Sequence, residues 1–107
     1  MSAVIDRVLA ALNAHDLEAF VNCYNVVAMI EDGNDRVLAR GDLEIRNHYG
    51  LMFETFPTLC AVALGRREVG SCVVQEELVT GRTAESERHI AVYQLANELI
   101  VRGRLLR

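Results

Sequence analysis

The stretch Val26-Val27-Ala28-Met29-Ile30-Glu31-Asp32-Gly33 decides how the rest of the chain is read. Its first part is apolar and β-branched, which favours a strand, and it stops abruptly in two carboxylates and a glycine. Gly33-Asn34-Asp35 is turn chemistry, and residues 36–40 read as a short returning strand. Asp32 is thereby an acid placed where a strand hands over to a loop, a common position for chemistry on a rigid scaffold.

Ahead of this stretch, residues 2 to about 14 carry Val4, Ile5, Val8, Leu9 and Leu12 on one helical stripe. Asp16 reads as the N-cap of a second helix, because its short side chain can accept from a free first-turn N–H. Leu17, Phe20, Val21 and Tyr24 give that helix its buried face. Behind the stretch, Gly41-Asp42 opens a third helix with Asp42 as N-cap and a stripe of Ile45, Tyr49, Met52, Phe53 and Phe56. Pro57 ends it, since the residue before a proline is pushed out of the helical region.

From Thr58 onward the apolar period changes to two. Residues 59–69, 72–82, 88–95 and 99–107 are strands, separated by turn chemistry at Gly70-Ser71, residues 83–87 and Ala96-Asn97-Glu98. Helices followed by antiparallel strands predict an α+β fold, with three N-terminal helices packed on one face of a curved, mostly antiparallel sheet. Neither face of these strands is cleanly polar: Val73 and Val79 share one face, Val74 and Leu78 the other. Such a sheet asks for a second cover, and a homodimer packed sheet to sheet supplies it.

At 107 residues the chain is expected to form one domain, residues 1–107, with a single core. A hydrophobic fraction of 51% and one proline exclude disorder. No apolar run approaches a membrane span, and the N-terminus lacks a basic region followed by an apolar block, so a cytoplasmic protein without a signal peptide is expected. The net charge is −4 and only Arg102, Arg104 and Arg107 cluster, which sets nucleic acid aside as a partner. Cys23, Cys60 and Cys72 show no C-x-x-C spacing and read as buried, reduced thiols. No metal-ligand spacing and no phosphate-cradling glycine loop occurs, so no cofactor is expected.

From His15 to Tyr49 the chain follows, without a gap, a pattern of the type YADDA-V-EDP…RGREAIR-FY. The matching features are Tyr24, the strand into Glu31-Asp32, Ala39-Arg40-Gly41, and Ile45-Arg46 with Tyr49. With the four strands that follow, this resembles the NTF2-like superfamily, and within it ketosteroid isomerase and the SnoaL-like polyketide cyclases. The resemblance implies a cone-shaped fold over nearly the whole chain. It places Asp32 at the general base of ketosteroid isomerase, and Tyr24 and Tyr49 at two tyrosines around that enzyme's oxyanion hole. Two oxyanion donors are replaced, one by Val8 and the other by Ala91, and neither has a proton to give. A true ketosteroid isomerase is therefore disfavoured, because oxyanion stabilisation is usually the largest catalytic contribution.

Strand alternation supplies the remaining candidates. Glu76 and Glu77 point to opposite faces, and the family register turns Glu77 inward with Gln75 and Val79. A buried acid needs partners, and His89, Tyr93 and Arg107 share its face. Asp32 is expected at the mouth of an apolar cavity, where desolvation raises a carboxyl pKa. Tyr24, Tyr49, Phe53, Phe56, His89, Tyr93 and Leu105 are the expected ligand-binding residues, with Met29 and Met52 as further apolar lining. His48 is expected to face solvent and His15 to be structural. Arg102 and Arg104 are expected on the outer face, beside acids such as Glu76. The expected function is a cofactor-independent small-molecule enzyme acting on a hydrophobic substrate through Asp32, with Glu77 as second acid. The alternative is a non-catalytic ligand-binding or dimerisation module on the same fold.

Overall fold

Asp16 begins the helical layer as its side chain suggests: Oδ1 accepts from the Ala19 amide at 3.1 Å. The computed structural model describes residues 3–107, so Ser2, expected at the start of the first helix, lies outside them. Helix α1 spans Ala3–Ala14 and α2 Leu17–Val21. Val4, Ile5, Val8 and Ala11 recur at helical spacing and form the buried face of α1. Strands β1 (Tyr24–Asp32) and β2 (Val37–Arg40) follow, then α3 (Gly41–Thr55). The chain closes with β3 (Cys60–Val69), β4 (Cys72–Thr80), β5 (Glu87–Ala96) and β6 (Leu99–Leu106).

The six strands form one sheet in the order β2-β1-β6-β5-β4-β3. Four pairings are antiparallel, and β1 with β6 is the parallel one that joins the N-terminal half to the C-terminal half. Register breaks leave an extra residue at Leu38 in β2 and at Leu64 in β3, and put β1 out of step with β6 between Tyr24 and Met29; such bulges bend strands and deepen the concavity of a sheet. The helices cover the concave face, α1 against β3 and α3 against β1 and β2. Ile5, Ile30, Ile45, Val73 and Ile100 are almost fully enclosed there. The architecture is the expected α+β cone.

Two readings at element ends differ in kind, while the strand limits move by only one or two residues. Tyr24 is the first residue of β1 rather than the last of α2, because α2 ends at Val21 and Tyr24 pairs with Ile100 of β6. It stays buried, so its face was read correctly and its element was not. Asp42 does not cap α3. Arg40 holds the cap position, its amide donating to Glu44 Oε1 at 2.9 Å, and Asp42 falls in the first turn, where its charge complements the helix dipole.

On the convex face Val62 and Val74 are exposed, and Leu78, Ile90 and Val92 are half-covered. Arg102 and Arg104 also lie on this face, but they pair with Glu31 and Asp35, while Glu76 faces Arg88 at 3.6 Å. The three cysteines are free, with Cys23 buried and Cys60 and Cys72 only partly so, against the expectation of three buried thiols.

Gly81 marks the end of β4 with φ +86°, and a Cβ there would run into the Thr58 carbonyl. Gly70, at φ +59°, has open space around it. Gly81→Ala should therefore destabilise the fold by about 3 kcal/mol or more and Gly70→Ala by about 1 kcal/mol. Chemical denaturation of both variants checks this, and equal losses would remove the packing argument.

Candidate functional site

Alternation along β4 turns Val73, Gln75, Glu77 and Val79 toward the helices, and all four are buried. On β5, His89 lies opposite Glu77 and Ala91 opposite Gln75. A carboxylate that is only 4% exposed must find donors or lose its charge. Glu77 finds three. Oε2 accepts from Gln75 Nε2 at 2.8 Å and from the Tyr93 hydroxyl at 3.1 Å, and His89 Nε2 meets Oε1 at 2.9 Å. His89 and Tyr93 are thus the expected partners, whereas Arg107 makes no bond to Glu77.

Gln75 is held in turn by a residue that period-two counting would miss. Arg66 Nε donates to Gln75 Oε1 at 2.8 Å, and Arg66 Nη2 donates to Asp6 Oδ1 of α1 at 2.7 Å. Strict alternation from Ala61 would turn Arg67 inward. The bulge at Leu64 shifts the phase by one, so Arg66 faces Gln75 instead.

Aromatic rings complete the inner wall. Phe20 packs against Tyr24 and Tyr49 with ring centroids 5.3 and 4.3 Å apart. Burial, reinforced by the charge of Glu77, pushes the Tyr49 phenol up to about 12. Tyr24 and Tyr93 are raised well above the ordinary phenol value, again chiefly by burial. All three are therefore neutral hydroxyls in the physiological range. Tyr93 donates to Glu77, while the Tyr24 and Tyr49 hydroxyls make no hydrogen bond among the described residues.

These groups surround an inner cavity of about 70 Å³, lined among others by Val8, Leu12, Tyr24, Glu77, His89 and Tyr93. It adjoins an open cleft of about 960 Å³ that carries Asp32, Arg36, His48 and Phe56. Tyr49, Met52, Arg82, Leu105 and Arg107 line both spaces and form the neck between them. Arg82, which the sequence did not single out, is locked to Glu87 by bonds of 3.0 and 2.9 Å.

Several expectations change here. Asp32 and Glu77 do not share a chamber, since Asp32 lines only the cleft. Asp32 Oδ1 accepts from the Asn34 and Arg36 amides at 2.9 and 3.0 Å, and these bonds hold its carboxyl below the usual value instead of above it. Phe53 lines neither space; it stacks on His15 at 4.8 Å within the core. His15, as expected, is structural, with Nε2 against the Leu59 carbonyl at 2.9 Å. His48 is half-buried in the cleft wall rather than solvent-facing, and burial lowers its pKa. Met29 points to the convex face, where its sulfur meets Arg40. Among the described residues no group of three His, Cys, Asp or Glu side chains could hold a metal ion, and no helix is long and apolar enough to cross a membrane.

A family model described as a SnoaL-like domain matches residues 5–103. No curated protein matches the sequence. Among solved structures, the chain superposes with a TM-score of 0.91 on an uncharacterised cystatin-fold protein from Novosphingobium aromaticivorans. The two are 22% identical, over 97% of this chain and 95% of that one. A candidate polyketide cyclase from Sinorhizobium meliloti gives a TM-score of 0.87 at 16% identity, over 98% and 94% of the two chains. A candidate ketosteroid isomerase from Kribbella flavida gives 0.83 at 12% identity, over 98% and 75%. At these identities the likeness is one of fold.

The turn at Asp32 yields a pH prediction. A carboxyl whose native pKa is depressed stabilises the fold above its ordinary value of 3.8, and loses that contribution as the pH falls through the lower native value. Asp32→Asn keeps an acceptor for the two amides and removes the charge. The variant should be less stable than the parent at pH 7, with the gap closing below about pH 3.8, in urea titrations run across pH. A gap that stays constant with pH would contradict this account.

Proposed function

The chain belongs to the SnoaL-like domain family, and from that footing we propose that it is a cofactor-independent enzyme that moves a proton on a small hydrophobic substrate. The observation carrying this reading is the Glu77–His89 pair, 2.9 Å apart on the wall of an apolar cavity. A carboxylate accepts, so Nε2 carries the hydrogen and Nδ1 keeps the lone pair that takes a proton. The charge that develops on the imidazole then lies beside Glu77, as in other carboxylate-oriented histidines. Tyr24 and Tyr49 offer unpartnered hydroxyls to a polar group of the substrate, and Met52 and Leu105 pack against its apolar body. Asp32 meets the substrate at the cleft, as a second polar contact and not as the principal base. Val8 lines the cavity and Ala91 is buried beside Gln75, so the two protic groups of a ketosteroid isomerase are lacking and a different reaction is implied.

The narrowness of the inner cavity favours a second reading, a binding module without turnover, since drug-sized ligands occupy roughly 300–1,000 Å³. Solvent-deuterium incorporation into a panel of small apolar carbon acids, followed by mass spectrometry, separates the two. Under the enzyme reading, His89→Asn and Glu77→Gln slow exchange by about 100-fold or more, and Asp32→Asn changes it only a few-fold. A parent protein no faster than the double variant on every compound leaves the binding module.

We also propose a homodimer through the convex sheet face, supported by the exposed Val62 and Val74 with the partly covered Leu78, Ile90 and Val92 beside them. Light scattering at micromolar concentration should give twice the 11.9 kDa chain mass, and Val74→Glu should return it to one chain. A monomeric parent would end the proposal.

A further inference from the structure

The hydrogen-bond chain from Asp6 to His89 does more than satisfy a buried acid. Arg66 has donors and no acceptor, so the side of Gln75 that faces it must be the carbonyl. The Gln75 amide is thereby oriented independently of how its atoms are assigned: Oε1 toward Arg66 at 2.8 Å and the NH2 group toward Glu77 at 2.8 Å. Gln75 is fully enclosed, so no solvent can substitute for either partner. Asp6 fixes the far end of Arg66 at 2.7 Å.

The consequence falls on Glu77. Its Oε2 receives two donors, the Gln75 amide and the Tyr93 hydroxyl, and its Oε1 receives only His89 Nε2. A proton on Oε2 would point at the Gln75 NH2 group, which cannot accept it, or would require the Tyr93 hydroxyl to turn from donor to acceptor. The arrangement at Oε2 therefore favours the carboxylate, which accepts from both groups. Turning the Gln75 amide over reverses this, because its carbonyl would face Oε2 and require a hydrogen there.

We propose that Arg66, anchored by Asp6, is a positioning residue that holds Glu77 as a carboxylate by fixing the orientation of the Gln75 amide. The other ionisable groups around the same cavity are Glu87, His89 and Tyr93 on β5, Tyr24 on β1, Tyr49 on α3, Arg82 after β4 and Arg107 after β6. None of these reaches Gln75 Oε1, so none can replace Arg66. This inference concerns the same site as the proposed function, but its test needs no substrate and stands or falls apart from turnover.

Infrared difference spectra of protein carrying ¹³C-labelled glutamate provide the readout. The parent at pH 7 should show no protonated-carboxyl band assignable to Glu77, that is, none that disappears in Glu77→Gln. Arg66→Met keeps an unbranched side chain as far as the Nε position and removes the donors; it should gain one such band per chain, absent from the Arg66→Met/Glu77→Gln double variant. Arg66→Lys restores a donor and should return the spectrum to that of the parent. ¹⁵N spectra of His89 should show a single hydrogen on Nε2 in the parent and in Arg66→Lys, and a changed pattern in Arg66→Met. A protonated Glu77 in the unaltered protein, or an Arg66→Met protein that folds with Glu77 still ionised, would overturn the proposal. The first of these measurements does not involve Arg66→Met, so a misfolded Arg66→Met protein does not protect the inference.

Discussion

A carboxylate shut inside a protein must be surrounded by donors or give up its charge, and much of this molecule answers to that constraint at Glu77. Each of its partners comes from a different structural device. Gln75 is two residues back on the same strand, His89 is the cross-strand neighbour, and Tyr93 reaches across from farther along β5. Arg66 arrives through the bulge at Leu64, and Asp6 brings α1 into the same chain of bonds. The long arm of β3 and the first helix are thus tied to the sheet through the polar lining of the cavity as well as through the core.

The cavity itself follows from how the cone is closed. Bulges in β2 and β3 curve the sheet away from the helices, and the layer of Phe20, Tyr24 and Tyr49 bridges the gap without filling it. An apolar void of this size would cost stability through lost packing. Here part of the wall is polar, and the Tyr24 and Tyr49 hydroxyls remain without a partner among the described residues. That combination argues against a space left by imperfect packing and for one shaped to receive polar groups.

The elements were legible because their signals are local. The stripe Val4-Ile5-Val8, the cap at Asp16, the stop at Pro57 and the alternation Val73-Gln75-Glu77-Val79 each read correctly from a few adjacent residues. Glu77 and His89 were legible for the same reason, since their faces follow from strand phase. What failed depends on distance or on phase shifts. Arg66 was hidden because one inserted residue inverts the pattern of β3. The pKa of Asp32 was read in the wrong direction, because a strand end at a cavity mouth suggests desolvation while its side chain is taken up by the Asn34 and Arg36 amides. Phe53 belongs to a helical stripe whose members divide between core and cleft, and no periodicity separates Phe53 from Phe56.

A polar network buried this deeply is not the most stabilising way to fill its space. Replacing paired buried charges with apolar groups of similar volume is often neutral or stabilising, and here such groups would also close the void beside Tyr24. A leucine at Glu77 with a valine at His89 would extend the apolar surface that Val79 and Ala91 already supply on that face. The chain instead places a carboxylate deep on that face, beside Gln75, and supplies three donors plus an arginine at second remove. Local breaks in an otherwise consistent pattern are where function is expected to reside. In this chain the break lies at Gln75, Glu77 and His89, deep in the cone, while the Asp32 carboxyl at the strand end is held by two backbone amides.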